Sequence, residues 1–232
     1  MPSEQEIKGW YNKRYAAKGV DTMRPYDAYP IFLDYLEAQE GKKLLDIGCG
    51  TGFLLRAASL KGLETFGVDV SEEAIKLAKK VSPKSFISVG KGENLKFEDN
   101  AFDYITCLGS LEHFLDMKKA IKEMKSVAKD NALFCIMVPN SNYFQWKISG
   151  KPGTNQQDIN ENLLSLKQWK TFFIEEKFEI LNIYQDKWFM KKINIFSSKN
   201  LIKIIKKIIN KLAWFFCPLS CTYQFVFILK KR

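Results

Sequence analysis

Histidine is almost missing from this chain: 232 residues hold one, His113. Acid is missing from its final stretch. Residues 187–232 carry 11 basic side chains and no Asp or Glu, whereas residues 1–186 carry 25 basic and 26 acidic ones. The net charge of +10 is therefore concentrated in the last fifth of the chain. No apolar run is long enough to span a bilayer. The most apolar stretch near the end, Leu212 to Leu219, is far too short and contains Pro218. The first residues, Met1-Pro2-Ser3-Glu4-Gln5-Glu6, offer neither a basic n-region nor an apolar core, so no secretory signal is expected and the chain reads as cytoplasmic. Cysteine is present but not in a metal pattern. Cys217-x3-Cys221 lacks the second pair that a four-ligand zinc site needs, so no metal is expected. Repeats and low-complexity tracts are absent, which leaves one globular domain with insertions.

Residues 1–42 read as a helical segment with Trp10, Tyr11, Tyr15, Tyr26 and Tyr29 close together. From Lys43 short apolar runs alternate with helical patterns. Strands are expected over 43–47, 64–68, 85–89, 102–108, 133–138, 178–184 and 222–229. Helices are expected over 53–60, 72–81, 116–128 and 166–176. Ser71 before Glu72-Glu73, and Ser165-Leu166-Lys167-Gln168, are helix-start patterns. Strands alternating with helices of about ten residues imply βαβ units around a parallel sheet. The expected organisation is a lid segment (1–42), a core (43–184), an insert (185–221) and a last core strand (222–232).

The insert has its own pattern. Leu201, Ile202, Ile204, Ile205, Ile208, Ile209 and Leu212 recur at helical spacing, with Lys199, Lys203, Lys206, Lys207 and Lys211 mostly elsewhere on the wheel and Trp214-Phe215-Phe216 following. Three roles fit such a basic amphipathic helix. It could pack on the domain as a cap, lie on an anionic membrane surface through residues 199–216, or bind nucleic acid or a second copy. Nucleic acid is the weakest, because the basic residues alternate with isoleucines and not with polar or stacking groups.

The sharpest signal is Leu44-Leu45-Asp46-Ile47-Gly48-Cys49-Gly50-Thr51-Gly52, a strand feeding a glycine turn that opens a helix. Glycines permit the tight bend and a close ligand, and the helix N-terminus offers free N–H groups. Dinucleotide sites use the same device with G-x-G-x-x-G spacing. Here the spacing is G-x-G-x-G, and Phe53 stands where the third glycine would be. Asp46 before the turn would repel a diphosphate but could pair with an ammonium. S-adenosylmethionine, which has an amino-acid end and no phosphate, suits that pattern better. Asp69, 17 residues after Gly52 at the tip of the second strand, is placed to accept both ribose hydroxyls.

On these residues the chain resembles the class I S-adenosylmethionine-dependent methyltransferases, and among them the ubiquinone/menaquinone-methyltransferase-like domains. The likeness runs from about Lys43 to Pro139. It includes Gly90-Lys91-Gly92-Glu93-Asn94-Leu95-Lys96-Phe97, similar to the segment bordering the adenine, and Leu108-Gly109-Ser110-Leu111-Glu112-His113 at the exit of the fourth strand. The resemblance implies a Rossmann-like three-layer α/β sandwich with a seven-stranded, mostly parallel sheet of order 3-2-1-4-5-7-6, strand 7 antiparallel. It implies a cofactor site formed by Tyr15, Asp46, Gly48, Cys49, Gly50, Thr51, Gly52, Asp69, Val70, Gly92, Glu93, Leu108 and Ser110. The product would be S-adenosylhomocysteine. One departure stands out: many relatives carry Asp where this chain has Lys91, and a lysine cannot accept the bond from the adenine amino group.

Methyl transfer from a sulfonium needs alignment and exclusion of water, and needs a base only when the acceptor loses a proton of high pKa. His113 falls on the rim where open α/β sheets bind ligands. It is either the base of an O- or N-methylation or a residue fixing the loop, and its Leu-Glu-His setting in relatives with diverse substrates favours the second. No Asn-Pro-Pro-Tyr run follows the fourth strand, which argues against nucleobase and glutamine acceptors. Tyr11, Tyr15, Arg24 and Tyr26 could cover the methionine end. A small or lipid-linked acceptor methylated at oxygen is expected. The alternative is a non-catalytic protein of this fold that docks through the insert.

Overall fold

The computed structural model describes residues 2–22, 24–144, 146, 150, 153, 156, 159–186, 188, 204, 205, 208, 212 and 216–232. The expected helix over 199–213 therefore lies outside the described residues except at Ile204, Ile205, Ile208 and Leu212, which are helical.

The chain opens with α1 (Glu4–Lys18), started by a reciprocal capping box between Ser3 and Glu6. Two 3-10 turns and α2 (Pro30–Tyr35) follow. The sheet is then built from β1 (Lys43–Ile47), β2 (Glu64–Asp69), β3 (Phe86–Val89), β4 (Phe102–Leu108), β5 (Ala128–Pro139), β6 (Phe178–Gln185) and β7 (Gln224–Lys231). Between them run α3 (Phe53–Leu60), α4 (Glu72–Val81), α5 (Met117–Val127) and α6 (Leu166–Glu175). Strand order is β3-β2-β1-β4-β5-β7-β6. The first five strands pair in parallel, and β7 runs antiparallel to both β5 and β6.

The two faces of the sheet are covered by different helices, and alternation along the strands assigns each side chain to its face. On β5, Phe134, Ile136 and Val138 join one core with Trp169 and Phe173 of α6 and Ile121 and Met124 of α5. Cys135 and Met137 turn the other way, into a second core with Phe32, Leu54, Leu55, Ile75 and Ala78. Trp169 is wholly buried and spends its one donor well: Nε1 donates to Pro139 O at 2.9 Å, tying α6 to the end of β5.

Two strands differ from their expected bounds by more than one residue. β5 begins at Ala128, five residues before the apolar run, because Ala128 already pairs with Phe102 while Lys129, Asp130 and Asn131 lie at the surface. A register shift between Phe102 and Tyr104 absorbs that polar stretch. β7 begins at Gln224 because Leu219–Cys221 form a 3-10 turn that Thr222 closes, its Oγ1 donating to Leu219 O at 2.9 Å.

Candidate active site

β1 and β2 end side by side, and the glycine turn folds over the tip of β2. Gly48 and Cys49 donate their N–H groups to Val68 O at 2.8 and 3.0 Å. Gly48, Gly50 and Gly52 all have positive φ, at 71°, 52° and 77°. At Gly48 the reason is doubled, since a Cβ there would overlap the Ser110 hydroxyl and sit 2.7 Å from its Cβ. The turn thus needs glycine for its own conformation and for the close approach of β4's exit.

Asp69 organises this corner. Its Oδ2 accepts the Gly50 N–H and its Oδ1 the Ser71 N–H, each at 2.9 Å. Burial pushes its pKa up to about 6, against the lowering effect of these backbone donors. Asp46 lies beneath the turn, where its Oδ1 accepts from Thr106 Oγ1 at 2.7 Å. Burial raises it to about 7, Thr106 lowering and Asp69 raising it in smaller measure. Two carboxylates under and beside a glycine turn are hostile to a diphosphate. They suit a ligand with a cationic amine and a ribose diol.

A cavity of about 990 Å³ opens above the C-terminal ends of the parallel strands. Of the expected cofactor residues, Tyr15, Gly48, Asp69, Val70, Gly92, Glu93, Leu108 and Ser110 line it, and His113 does too. Asp46, Cys49, Gly50, Thr51 and Gly52 do not line it; they form the turn and its underside. Gly92 must be glycine for space, because a Cβ would meet the Phe114 ring at 2.6 Å. Glu93 Oε1 accepts the Leu115 N–H at 3.1 Å, joining the turn after β3 to the loop after β4. Of the expected lid residues, Tyr11, Tyr15 and Arg24 line the cavity, while Tyr26 packs against Phe53 and under Arg56.

His113 sits in the wall with its ring edge-on to Tyr11, centroids 6.4 Å apart. Its Nδ1 lies 2.7 Å from Asn160 O, and Asn160 Nδ2 donates back to His113 O and Phe114 O. A carbonyl only accepts, so Nδ1 carries the proton and Nε2 keeps its lone pair. Burial lowers the His113 pKa, leaving the ring neutral at pH 7. Glu112 beside it is pushed up to about 8, chiefly by burial. The 3.8 Å between His113 Nε2 and Glu112 Oε1 is therefore a contact of two largely neutral groups, not an ion pair. Glu112 Oε2 is buried with no hydrogen-bond partner.

Arg24, one of the expected lid residues, is held by partners that the motifs did not point to. Arg24 Nη1 donates to Asp186 Oδ1 at 2.8 Å, and its Nη2 is bonded to Gln224 Oε1. Asp186 and Gln224 stand at the roots of the insert, and Gln224 lines the cavity together with Trp188 and Tyr223, whereas Asp186 is buried behind it. No local pattern announces this cluster, since its partners are 162 and 200 residues apart.

Comparison with known proteins matches this geometry. The methyltransferase domain family fits residues 45–136. The chain is 30% identical over 161 residues to a ubiquinone biosynthesis O-methyltransferase of Coxiella burnetii, covering 61% of this chain and 67% of that one. Among solved structures, a chain of the complex between the Haloferax volcanii Trm112 methyltransferase activator and a methyltransferase aligns with a TM-score of 0.70 at 18% identity, over 97% of both chains. A geranyl diphosphate C-methyltransferase from Streptomyces coelicolor, solved with Mg2+, geranyl diphosphate and S-adenosylhomocysteine, aligns with a TM-score of 0.67 at 14% identity, over 100% and 98%. The glycine turn, the acid at the tip of β2 and the sheet order thus have one common explanation: the chain belongs to the class I S-adenosylmethionine-dependent methyltransferases.

Proposed function

We propose that this methyltransferase acts on an oxygen of a small or lipid-linked acceptor, with His113 receiving the proton. Bound S-adenosylmethionine supplies an electrophilic methyl on a sulfonium. The chain's residues hold and shield it. Asp69 accepts the ribose hydroxyls with the lone pairs left over from Gly50 and Ser71. The 48–52 turn would hold the amino-acid end, with the Asp46 carboxylate beneath the turn favouring its ammonium, and Val70, Gly92, Glu93 and Leu108 would border the base and its sugar. The observation that supports the catalytic role is His113 Nδ1 at 2.7 Å from Asn160 O, which leaves Nε2 as the basic atom of a ring that belongs to the cavity lining. The O-methyltransferase named among the relatives supports oxygen as the acceptor atom. The test is His113→Gln assayed with labelled S-adenosylmethionine and extract. Methyl transfer should fall by about 10²-fold or more with cofactor affinity unchanged. Full transfer in that variant would leave His113 only its loop-fixing role, and a product methylated at nitrogen or carbon would reject the choice of oxygen.

The insert supports a lipid-linked acceptor presented at an anionic membrane. Ile205, Ile208 and Leu212 recur at helical spacing at 47%, 39% and 53% exposure, so these side chains are not packed into the core. Their neighbours in sequence include the lysines of a segment with 11 basic residues and no acid. Among the described residues no helix is long and apolar enough to cross a membrane, so contact would be peripheral. Flotation with vesicles containing anionic lipid should capture the chain, and changing Ile205, Ile208 and Leu212 together to serine should release it. Absence of capture at low salt would reject membrane docking. Capture with cofactor binding but no methylated product would favour the non-catalytic alternative.

A further inference from the structure

The family's usual acid after β3 is replaced by Lys91, and the structure shows what Lys91 does instead. Its Nζ donates to both carboxylate oxygens of Glu4, at 2.6 and 2.7 Å. Glu4 lies in the first turn of α1, 87 residues away in sequence. Both residues line the cavity at the same end as Gly92, Glu93 and Leu115. The apolar side chains of Val89 and Leu115 lie there too, 48% and 39% exposed, as walls for a flat ring.

α1 is fastened so that Glu4 stays at this rim. Asn12 Nδ2 donates to Glu72 Oε2 at 2.9 Å, Asn12 Oδ1 accepts from Ser71 Oγ at 2.7 Å, and Lys8 pairs with Glu72. These contacts anchor the helix beside the start of α4, two residues beyond Asp69. An adenine amino group is a donor and needs an acceptor at its edge. Lys91 has none to give. Glu93 is turned toward the loop after β4, where its Oε1 accepts the Leu115 N–H. Each Glu4 oxygen keeps a lone pair beyond the one facing Lys91.

We propose that the carboxylate reading the adenine amino group comes from Glu4 on α1, held in place by Lys91. The inference rests on the cofactor reading above. It makes the N-terminal helix a part of the cofactor's specificity and not merely a cover.

Calorimetry with two probes tests this: S-adenosylhomocysteine, and S-inosylhomocysteine, in which a carbonyl oxygen replaces the amino group. The wild-type chain should prefer the adenosyl compound by about tenfold or more, the size of one good hydrogen bond. Glu4→Ala should lose that preference to within about twofold, mainly by weaker adenosyl binding, while its melting temperature stays near wild type. Glu4→Ala combined with Lys91→Asp should regain the preference, because the acceptor returns to the strand tip. A Glu4→Ala chain that keeps the full preference overturns the proposal. A wild-type chain that binds neither probe overturns the cofactor reading, and this inference with it.

Discussion

Asp69 at the end of β2 accepts the backbone N–H of Gly50 at 2.9 Å, so one buried carboxylate holds the glycine turn of the neighbouring strand. The same side chain holds Ser71, whose hydroxyl caps α4 by accepting from Ala74 N at 3.1 Å. Turn, strand tip and helix start are therefore one unit. An unpaired backbone N–H at this depth would cost on the order of 1–3 kcal/mol, so the acid has a structural role beside the ribose-binding role proposed for it.

Cofactor affinity should depend on pH through these acids. The ribose and the ammonium both favour ionised carboxylates, and burial raises Asp69 to about 6 and Asp46 to about 7. Below those values the acids are protonated in the free protein and binding must first release protons. Calorimetry with S-adenosylhomocysteine should show affinity rising from pH 5.5 to about 7.5 and levelling above, with an effect on the order of tenfold per group and pH unit below its pKa. A flat profile would disconnect the two acids from the ligand.

Gly48→Ala should damage the site twice. The positive φ of 71° costs about 1 kcal/mol or more with a Cβ, and that Cβ also overlaps the Ser110 hydroxyl. A lowered melting temperature and loss of cofactor binding are expected. Adding Ser110→Gly should recover part of the stability, because it removes the overlap and leaves only the backbone strain. Thermal denaturation of the single and double variants checks this.

Glu112→Gln should stabilise the fold at alkaline pH. The folded pKa is raised to about 8 from an ordinary 4.5, so the folded state binds the proton more tightly than the unfolded chain. That stabilisation is complete below about pH 4.5 and is lost as pH rises through about 8. Glutamine has no charge to lose. Its melting temperature should be similar to wild type near pH 5 and higher at pH 9, a difference on the order of 5 kcal/mol if the burial cost is fully expressed. Equal melting curves at pH 9 would mean that Glu112 ionises without penalty.

Much of the fold could be read from local pattern. The glycine turn, the Ser71 cap and the apolar run Leu133–Val138 each carry their signal within a few residues, and the parallel sheet follows from their alternation. The Ser3–Glu6 capping box that starts α1 became evident only in the structure, inside a segment read simply as helical over residues 1–42. What local pattern could not supply is pairing across the chain. Lys91 reads as the loss of an acid until Glu4 appears beside it. Arg24 reads as one lid residue among several until Asp186 and Gln224 are seen to hold it. The early start of β5 was hidden for a different reason: Lys129-Asp130-Asn131 lie in the irregular stretch between the Ala128 and Leu133 pairings, at the surface, and leave no apolar trace.

The central claim is that the glycine turn and Asp69 hold S-adenosylmethionine. It is tested most directly by titrating S-adenosylhomocysteine into the wild-type chain and into Asp69→Ala, with melting temperatures to confirm that both are folded. One bound nucleoside per wild-type chain, with affinity reduced by about 1–3 kcal/mol in the variant, is the expected result. Undiminished affinity in folded Asp69→Ala, or displacement of the nucleoside by a dinucleotide, would contradict it.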